Sequence, residues 1–455
     1  MLMEVVDLNS EYGLRHGGKA EIKSKDSRAG NLLSALQMGI AKLKWAEPGP
    51  VATVPIDQIA LVIGGGIGGM TAALAIADHG FKVDLVEVSE HLGGNLNWLQ
   101  RTLEGHSTTT LLEDSLAAVE KHPNICVHTR TRVITATGDV GRFHTTIEGP
   151  EESVRVLSHG VTILATGGME AVTTSDGYGT SPSIITQKEL EQKLADGTLD
   201  PGQLNSVVMI QCVDSREEPR NYCSRVCCAT ALKHALHLKE KNPALSVYIL
   251  YRDMMAYGFA ETYYTRAREA DVIFIQYRID AKPKVQIGKE NPEVTILEPI
   301  LGRQLKIQAD LVVLATGVVS NLPEDLAQSF GASVDQDGFF QEAESKWRPV
   351  DSLKEGVFAC GLTHSPRNIA ETIATAEAAA ERALRIISRE HLPAGKVLAQ
   401  VHHSLCSLCE RCIDACPYGA RSIDHDHEKV RINPVMCQGC GACAAVCPNS
   451  ASVLE

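Results

Sequence analysis

A strand, a glycine-rich turn and a helix follow one another between residues 59 and 77, and this order restricts the possible folds most. Residues 59–63 form an apolar, β-branched run that predicts a buried strand, and the alanine-rich residues 70–77 predict a helix. The turn between them, of the form Gly-x-Gly-x-x-Gly, contains Gly64, Gly66, Ile67, Gly68 and Gly69. The first of its three spaced glycines allows the tight turn, the second lets a pyrophosphate approach the backbone, and the third lets helix and strand pack closely. The stretch predicts a dinucleotide-binding site.

An acidic residue and a glycine pair follow at the distances that favour FAD over NAD. Glu87 ends the next apolar strand, 82–86, at about the ~20-residue distance expected for an acid that binds a ribose. Gly93 and Gly94 come next, and Asn95 follows them. An acid, a short spacer and a glycine pair is typical of FAD-binding units, because the glycines let the backbone approach the cofactor.

Two apolar strands end in Ala-Thr-Gly, at residues 160–167 and 310–317. Two such strands around an intervening block are typical of flavoproteins in which a second Rossmann-like domain interrupts the FAD domain. The residues of these turns that we expect to contact FAD are Thr166, Gly167, Thr316 and Gly317. Alternating residues from Cys126 to Thr146 predict a β-meander before the first of these strands.

A further strand and helix return the chain to the FAD domain. The strand 356–361 ends at Gly361, and a long alanine-rich helix then begins near Ile369. In two-domain flavoproteins the N-terminus of this helix points at the flavin, where the helix dipole stabilises negative charge. Leu362 stands where an aspartate usually follows the glycine, so one FAD contact is altered.

The second domain begins with a good strand, 206–210, but no glycine loop follows it. NAD(P)H binding at this position is therefore not expected. Four cysteines stand there instead: Cys212, Cys223, Cys227 and Cys228. Four thiolates can hold a 4Fe–4S cluster, but the spacing alone leaves buried apolar cysteines, a zinc site and a dithiol pair open.

The C-terminal residues contain an internal repeat with an offset of 31 residues, and it is the strongest signal in the chain. Two Cys-x-x-Cys-x-x-Cys-x-x-x-Cys-Pro runs predict two 4Fe–4S clusters, in which the fourth cysteine of each run binds the other cluster. We assign one cluster to Cys406, Cys409, Cys412 and Cys447. We assign the other to Cys437, Cys440, Cys443 and Cys416. Two complete runs of this form make zinc improbable.

Composition excludes several classes of function. The net charge of −13 argues against nucleic acid and against anionic membrane surfaces. No apolar run approaches the ~20 residues that span a bilayer, and the first residues lack the pattern of a secretory signal. Fourteen cysteines without such a signal indicate metal or redox chemistry in a reducing compartment, so we expect a cytoplasmic protein.

Several motifs together resemble the A subunit of heterodisulfide reductase and its bacterial relatives, over residues 31–455. They are the glycine loop with Glu87, Gln211-Cys212-Val213, the Tyr-Cys-Ser-Arg-Val-Cys-Cys string at 222–228, Tyr251-Arg252-Asp253 and the double cysteine run. The resemblance implies an FAD protein of thioredoxin-reductase-like architecture whose second domain binds a third 4Fe–4S cluster. Its implied ligands are Cys212, Cys223, Cys227 and Cys228. The resemblance also implies that Lys233, and an acidic residue placed as Glu189, lie near the flavin ring.

The chain departs from the family pattern at three points. Asp214 replaces the glycine that usually follows Gln-Cys-Val, and the spacing from Cys212 to Cys223 is shorter than expected. Residues 1–125 contain no cysteine, so the N-terminal cluster site of full-length members is absent there.

The expected fold is α/β: a two-dinucleotide-binding-domain flavoprotein followed by an α+β ferredoxin domain with two 4Fe–4S clusters. The expected domains are an N-terminal arm and amphipathic helix (1–55), a first FAD-binding segment (56–168), a second Rossmann-like domain with the inserted cluster site (169–305), a second FAD-binding segment (306–395) and the ferredoxin domain (396–455).

The expected function is electron transfer between FAD and three 4Fe–4S clusters in a multi-subunit redox complex, with flavin-based electron bifurcation as a hypothesis. Expected partners are other iron–sulfur and substrate-reducing subunits, in a dimer of hetero-oligomers. One alternative is a non-catalytic relay or scaffold in a complex of the quinone-interacting oxidoreductase or benzoyl-CoA reductase type. A stand-alone NAD(P)H disulfide reductase would need a nucleotide loop after Ile210 and a redox-active cysteine pair, and the sequence offers neither clearly.

Overall fold

The computed structural model describes residues 53–288, 291–393, 398–425 and 427–454, with six residues between 34 and 44. The chain forms two compact units, the larger of which is Val54–Leu392, and the smaller contains the residues from Pro393 onward. The predicted arm (1–30) and much of the predicted helix at 31–45 lie outside the described residues. The described residues of that helix are helical: Ser34, Gln37, Met38, Ile40, Ala41 and Lys44.

The first sheet of the larger unit is parallel and has five strands. In order across the sheet they are Val357–Ala359, Val161–Leu164, Ile59–Ile63, Lys82–Val86 and Ile125–His128. Helices Ile67–Asp78 and Ile369–Ile387 pack against each other beside this sheet, and Thr108–Lys121 precedes its edge strand. The glycine loop follows the central strand, at the carboxyl edge where open α/β sheets bind their ligands.

A three-stranded antiparallel meander lies beside this sheet, with strands Arg132–Asp139, Arg142–Glu148 and Val154–His159. The sequence pattern placed the start of the meander at Cys126, but Ile125–His128 pairs in parallel with Lys82–Val86 instead. An edge strand with one exposed side alternates in the same way as a meander strand, so the pattern could not separate the two.

The second sheet is also parallel and five-stranded. Its strands, in order, are Ile184–Thr186, Leu311–Leu314, Ser206–Ile210, Ser246–Tyr251 and Ile273–Gln276. Its helices are Gln187–Ala195, Val226–Lys241 and Glu261–Glu269. A three-stranded antiparallel sheet follows, with strands Lys284–Ile287, Pro292–Glu298 and Arg303–Gln308. The chain then returns to the second sheet as the strand Leu311–Leu314.

The strand Leu311–Leu314 corrects one expected boundary. The sequence pattern ended the second domain at residue 305 and gave this strand to the second FAD-binding segment. The structure places it inside the second sheet, between Ile184–Thr186 and Ser206–Ile210. A buried apolar strand ending in Ala-Thr-Gly looks the same in either sheet, and its neighbours are set by long-range pairing.

Shorter elements complete the larger unit. Gly168–Glu170 pairs with Val318–Ser320 where the chain passes from one sheet to the other, and the helix Glu324–Ser329 follows. Thr53–Pro55 pairs with His391–Pro393.

The smaller unit repeats one pattern twice. Its helices Arg411–Asp414 and Ala442–Ala445 start 31 residues apart, which is the offset of the cysteine runs. The strand pairs are Ala399–Val401 with Ser452–Leu454 and Arg421–Asp424 with Lys429–Ile432. Across the described residues of both units, no helix is long and apolar enough to cross a membrane.

Acid should weaken the larger unit through His159. This side chain is fully buried, Nδ1–H donates to the Val161 carbonyl, and Nε2 accepts from the Thr145 hydroxyl. Burial lowers the pKa of His159 to about 4. Between pH 4 and the ordinary histidine pKa of about 6.5, His159 is protonated in the unfolded chain but neutral in the folded chain. The free energy of unfolding therefore falls as the pH drops from 6.5 toward 4.

Between pH 7 and pH 5 this loss should be about 2 kcal/mol. Thermal unfolding of His159→Gln and wild type at both pH values checks it, with the exposed His106→Gln as the control. The variant should lose less stability on acidification than wild type and the control do; equal losses in all three would contradict this assignment.

Candidate flavin and iron–sulfur sites

The three glycines of the loop differ in what surrounds them. A Cβ on Gly64, whose φ is +110°, would lie 2.2 Å from the Ala165 carbonyl oxygen, and a Cβ on Gly69 would lie 1.7 Å from the Gly64 carbonyl oxygen. A Cβ on Gly66 would meet nothing within 4 Å. Gly66 is also the N-cap of the helix Ile67–Asp78, and no side chain caps that helix. Gly64 and Gly69 thus permit close packing, and Gly66 leaves free amides and open space for a phosphate.

The Glu87 carboxylate is held in place by two main-chain amides. Its Oε2 accepts from the Gly65 N–H at 2.6 Å and its Oε1 from the Ser89 N–H at 2.7 Å. Gly93 and Gly94 have φ values of +116° and +54°, and a Cβ on Gly94 would lie 3.2 Å from Gly66 Cα. The glycine pair therefore crosses closely over the loop, as the cofactor pattern requires.

Asn95 makes contacts within the protein. Its Nδ2 donates to the Gly168 carbonyl at 2.9 Å, and its Oδ1 accepts from Trp98 Nε1 at 3.1 Å. Both ends of the amide thus tie the glycine pair to the first crossing between the two sheets.

The two Ala-Thr-Gly turns have different surroundings. The Thr363 hydroxyl accepts from the Gly167 N–H at 3.0 Å and lies 3.2 Å from the Thr166 hydroxyl. The Thr316 hydroxyl is buried, and it has no hydrogen-bond partner among the described residues. Next to Gly317, the Val318 N–H donates to the Ser224 hydroxyl at 2.8 Å. The second turn is therefore attached to the stretch that contains the four cysteines.

The helix Ile369–Ile387 begins with a capping box, in which Asn368 and Glu371 each accept the other's main-chain N–H. Gly361, with φ +62°, donates its N–H to the Thr375 hydroxyl at 3.1 Å. The first amides of a helix have no intrahelical acceptor, so the Ile369 end offers donors and partial positive charge.

The residues 212–228, which we call the cysteine segment, bring together the four cysteines that the resemblance implies as ligands. Cys212 follows the strand Ser206–Ile210 with a φ of +58°, and Cys227 and Cys228 lie in the first turn of Val226–Lys241. Burial raises the pKa of Cys227, and negative charge on Cys228, Cys212 or Cys223 raises it further. Burial also raises the pKa of Cys228 to about 12. Because these shifts disfavour ionised sulfurs, four thiolates at this place would need a bound cationic centre.

Donors surround these sulfurs. The Arg225 N–H donates to Cys223 Sγ at 3.3 Å. Burial raises the pKa of Cys212, whereas the charge and hydrogen bond of the Arg216 guanidinium lower it. Such hydrogen bonds are among the interactions that tune iron–sulfur clusters.

The spacing of potential ligand atoms can be compared with that of a tetrahedral zinc site. Tetrahedral zinc with Zn–S bonds of about 2.3 Å holds its sulfurs within roughly 4 Å of one another. Among the described residues, which include every cysteine named above, one group of three potential ligands has all its ligand atoms within 4.8 Å of one another. That group is Asp84, Cys126 and His128 at the edge of the first sheet. Among the described residues, neither the cysteine segment nor the C-terminal runs contain a group of three ligand atoms that close together.

Two cavities of the smaller unit divide its eight cysteines. A small cavity of about 20 Å³ has Cys406, Cys409, Cys412 and Cys447 in its lining. A second, of about 10 Å³, has Cys416, Cys437, Cys440 and Cys443 in its lining. The fourth cysteine of each run thus lies with the three cysteines of the other run. Main-chain N–H groups of Ala420 and Ala451 donate to Cys416 Sγ at 3.3 Å and to Cys447 Sγ at 3.2 Å.

Lys233 is paired with Glu191 and not with Glu189. Lys233 Nζ lies 2.8 Å from Glu191 Oε2 and donates to the Arg101 carbonyl at 3.1 Å. Burial would raise the pKa of Glu191, but the His234 hydrogen bond and the charges of His234 and Lys233 lower it overall. Burial lowers the pKa of Lys233, and Glu191 opposes that shift.

Glu189 has a structural role, and its position near the flavin stays a prediction. It completes a capping box with Thr186 and accepts from the Tyr178 hydroxyl at 3.0 Å. The sequence carried a signal for this, because Thr186-x-x-Glu189 before an apolar residue is the capping-box pattern. Glu191 was not predicted, and no local pattern marks it.

Arg225 is a second residue that sequence reasoning missed. Its guanidinium lies 2.6 Å from Glu371 Oε1, and the Tyr257 hydroxyl donates to the same oxygen at 2.9 Å. An ion pair thus joins the cysteine segment to the first turn of Ile369–Ile387. Nothing in the sequence links the two positions, because Arg225 precedes a helix of the second sheet and Glu371 lies in a helix beside the first sheet.

Comparison with known protein families and relatives agrees with this arrangement. Residues 399–448 match the family described as 4Fe-4S dicluster domain, and residues 62–110 match the NAD(P)-binding Rossmann-like domain. The chain is 30% identical over 494 residues to the A subunit of H(2):CoB-CoM heterodisulfide,ferredoxin reductase of Methanothermobacter marburgensis, covering 87% of this chain and 74% of that protein. It is 29% identical to an Archaeoglobus profundus protein described as similar to the heterodisulfide reductase A subunit, covering 86% and 75%.

Solved structures share the fold of the larger unit. Thioredoxin reductase of T. acidophilum matches with a TM-score of 0.51 and 16% identity, over 72% of this chain and 99% of that one. The Lactococcus lactis enzyme matches with a TM-score of 0.52 and 18% identity, over 73% and 99%. The predicted fold class, a thioredoxin-reductase-like flavoprotein with a C-terminal dicluster domain, is confirmed.

Proposed function

This chain belongs to the family of heterodisulfide reductase A subunits, and from that premise we propose that it passes electrons between FAD and three 4Fe–4S clusters within a larger redox complex. It is an oxidoreductase with an FAD-type Rossmann domain and a 4Fe–4S dicluster domain. The third cluster, the complex and the direction of electron flow belong to the proposal. When bound, FAD supplies the conversion between two-electron and one-electron transfer.

One observation carries the proposal: the cysteine segment takes the place of a phosphate loop and is attached to the flavin domain. Arg225 pairs with Glu371 at the start of Ile369–Ile387, and Ser224 accepts from Val318 where the chain crosses between the two sheets. Both contacts come from residues between Cys223 and Cys227. A cluster in this segment would lie next to the flavin domain, whereas a nicotinamide nucleotide would have no phosphate loop there.

The chain's own residues would bind and tune the cofactors. Gly66 and the helix N-terminus would receive the pyrophosphate, and Glu87 would bind the ribose. The first turn of Ile369–Ile387 would favour negative charge on the reduced flavin. Lys233 contacts the segment that follows the glycine pair through the Arg101 carbonyl, and we propose that its charge acts on the flavin from there.

Replacing Lys233 with methionine should lower the flavin reduction potential. The variant removes a positive charge and leaves the buried Glu191 carboxylate without its lysine, and both changes disfavour negative charge on the reduced flavin. Flavin reduction by a fixed donor should slow at least ~10-fold, which corresponds to about 1.4 kcal/mol.

Potentiometric titration of the flavin absorbance tests this, with the Lys241→Met variant at the end of the same helix as the control. A lowered potential in Lys233→Met alone supports the proposed position. An unchanged flavin potential in a variant that retains FAD would place Lys233 outside the flavin site.

We further propose that the complex performs flavin-based electron bifurcation, which the relatives' names motivate: the M. marburgensis protein belongs to an enzyme called a heterodisulfide,ferredoxin reductase. The purified complex, given a two-electron donor, should reduce a low-potential one-electron acceptor only while a high-potential acceptor is also present. Reduction of either acceptor independently of the other would instead assign the chain a simple relay function.

A further inference from the structure

Gln211 is a buried glutamine directly before the first cysteine of the cysteine segment. Its main-chain N–H donates to the Leu250 carbonyl at 2.9 Å, so it extends the strand Ser206–Ile210 by one residue. Its main-chain carbonyl accepts from the Tyr277 hydroxyl at 2.5 Å. The residue is 0% exposed, so both the backbone and the side chain are held inside the protein.

The side-chain amide of Gln211 has no partner in the part of the chain that the structure describes. Neither Nε2 nor Oε1 forms a hydrogen bond to any described residue. Leaving a buried polar group unpaired costs about 1–3 kcal/mol, and native proteins pair almost all such groups. A bound group outside the described residues would give this amide the partner that it lacks.

Strand alternation shows which side of the sheet the amide faces. Gln211 lies on the face of Val207 and Met209, which pack with Ala231 and Leu232 of the helix Val226–Lys241. In a parallel β-α unit the helix begins near the carboxyl end of its strand, so the first turn of this helix is level with Gln211. That turn holds Cys227 and Cys228, and Cys212 is the next residue in the chain.

We propose that Gln211 Nε2–H donates a hydrogen bond to a sulfur of the 4Fe–4S cluster held by the cysteine segment and thereby raises its reduction potential. The inference rests on the proposed function, since it requires that cluster. Sulfide and thiolate sulfurs accept hydrogen bonds and donate none, which suits an unpaired amide N–H. A donor stabilises the reduced cluster most, because that form has more negative charge.

The test replaces Gln211 with methionine, which has a similar length and no N–H donor. Gln203→Met is the control: Gln203 is exposed and lies before the strand Ser206–Ile210, outside the cysteine segment. Titration of the full chain, followed by the electron paramagnetic resonance of each reduced cluster, gives three potentials per protein. We expect Gln211→Met to lower one of them by about 59 mV, a tenfold change in the ratio of reduced to oxidised cluster. The other two potentials should not change, and neither should the control's.

A measurement on the unaltered sequence covers the case in which the variant fails to assemble. Protein labelled with ¹⁵N only in glutamine side-chain amides should show a ¹⁵N coupling to one reduced cluster in pulsed resonance spectra. Absence of that coupling, or an unchanged potential in Gln211→Met with full iron content, overturns the role of Gln211. Iron content distinguishes this from failure of the proposed function: about eight irons in wild type, in place of about twelve, would mean that the cluster itself is missing.

Discussion

Replacing Cys223 with alanine is expected to remove about four of about twelve irons per chain while FAD stays bound. The variant removes one of four proposed ligands and leaves the glycine loop and the eight C-terminal cysteines unchanged. A 4Fe–4S cluster of this kind is held by four cysteine thiolates, so the three remaining cysteines should not hold it.

Iron and flavin analysis of the anaerobically purified chain measures this effect, and Cys126→Ala serves as the control. Cys126 is an exposed cysteine outside all three proposed sites, so its variant should keep the wild-type iron content. Equal iron in the Cys223→Ala and Cys126→Ala variants would show that the cysteine segment holds no cluster.

Replacing Gly66 with valine is expected to abolish FAD binding without unfolding the chain. The φ of Gly66 is −74°, which any residue adopts, and a Cβ there meets nothing within 4 Å. The protein alone should therefore tolerate the side chain, which would instead occupy the space for the pyrophosphate. We expect at least a 100-fold loss in FAD affinity, or about 2.7 kcal/mol.

The measurement is FAD bound per chain after reconstitution, with circular dichroism to check the fold. Gly66→Ala should show a smaller loss than Gly66→Val, because the obstruction grows with the side chain. Gly69→Ala should differ in kind, since its Cβ would overlap the Gly64 carbonyl and disturb the fold itself. A Gly66→Val protein with normal FAD content would locate the cofactor elsewhere.

Features set by local spacing could be predicted from the sequence. The glycine loop and its strand and helix depend on residues close together in the chain, and both appear as expected. The C-terminal repeat specifies its own ligand grouping, since each run has three closely spaced cysteines and a distant fourth. The cavities contain the cysteines in the predicted groups, while the clusters themselves stay a proposal.

Features set by long-range pairing could not be predicted from the sequence. Leu311–Leu314 belongs to the second sheet because of neighbours that lie over 100 residues away in the chain, at 184–186 and 206–210. Glu191 pairs with Lys233, 42 residues later, and the capping role of Glu189 would have been readable from Thr186. The importance of Arg225 and Gln211 could be recognised only in the folded protein. Arg225 pairs with the Glu371 carboxylate, which is distant in the chain, and the Gln211 amide has no partner among the described residues.

The central claim is that the flavin exchanges electrons with iron–sulfur clusters and not with a nicotinamide nucleotide. Anaerobic rapid mixing of the flavin-loaded chain with NADH, NADPH or a low-potential one-electron donor tests it most directly. We predict that the one-electron donor reduces the clusters and the flavin, and that both nicotinamide nucleotides leave the flavin oxidised. Fast bleaching of the flavin by NADH or NADPH in the isolated chain would contradict the account.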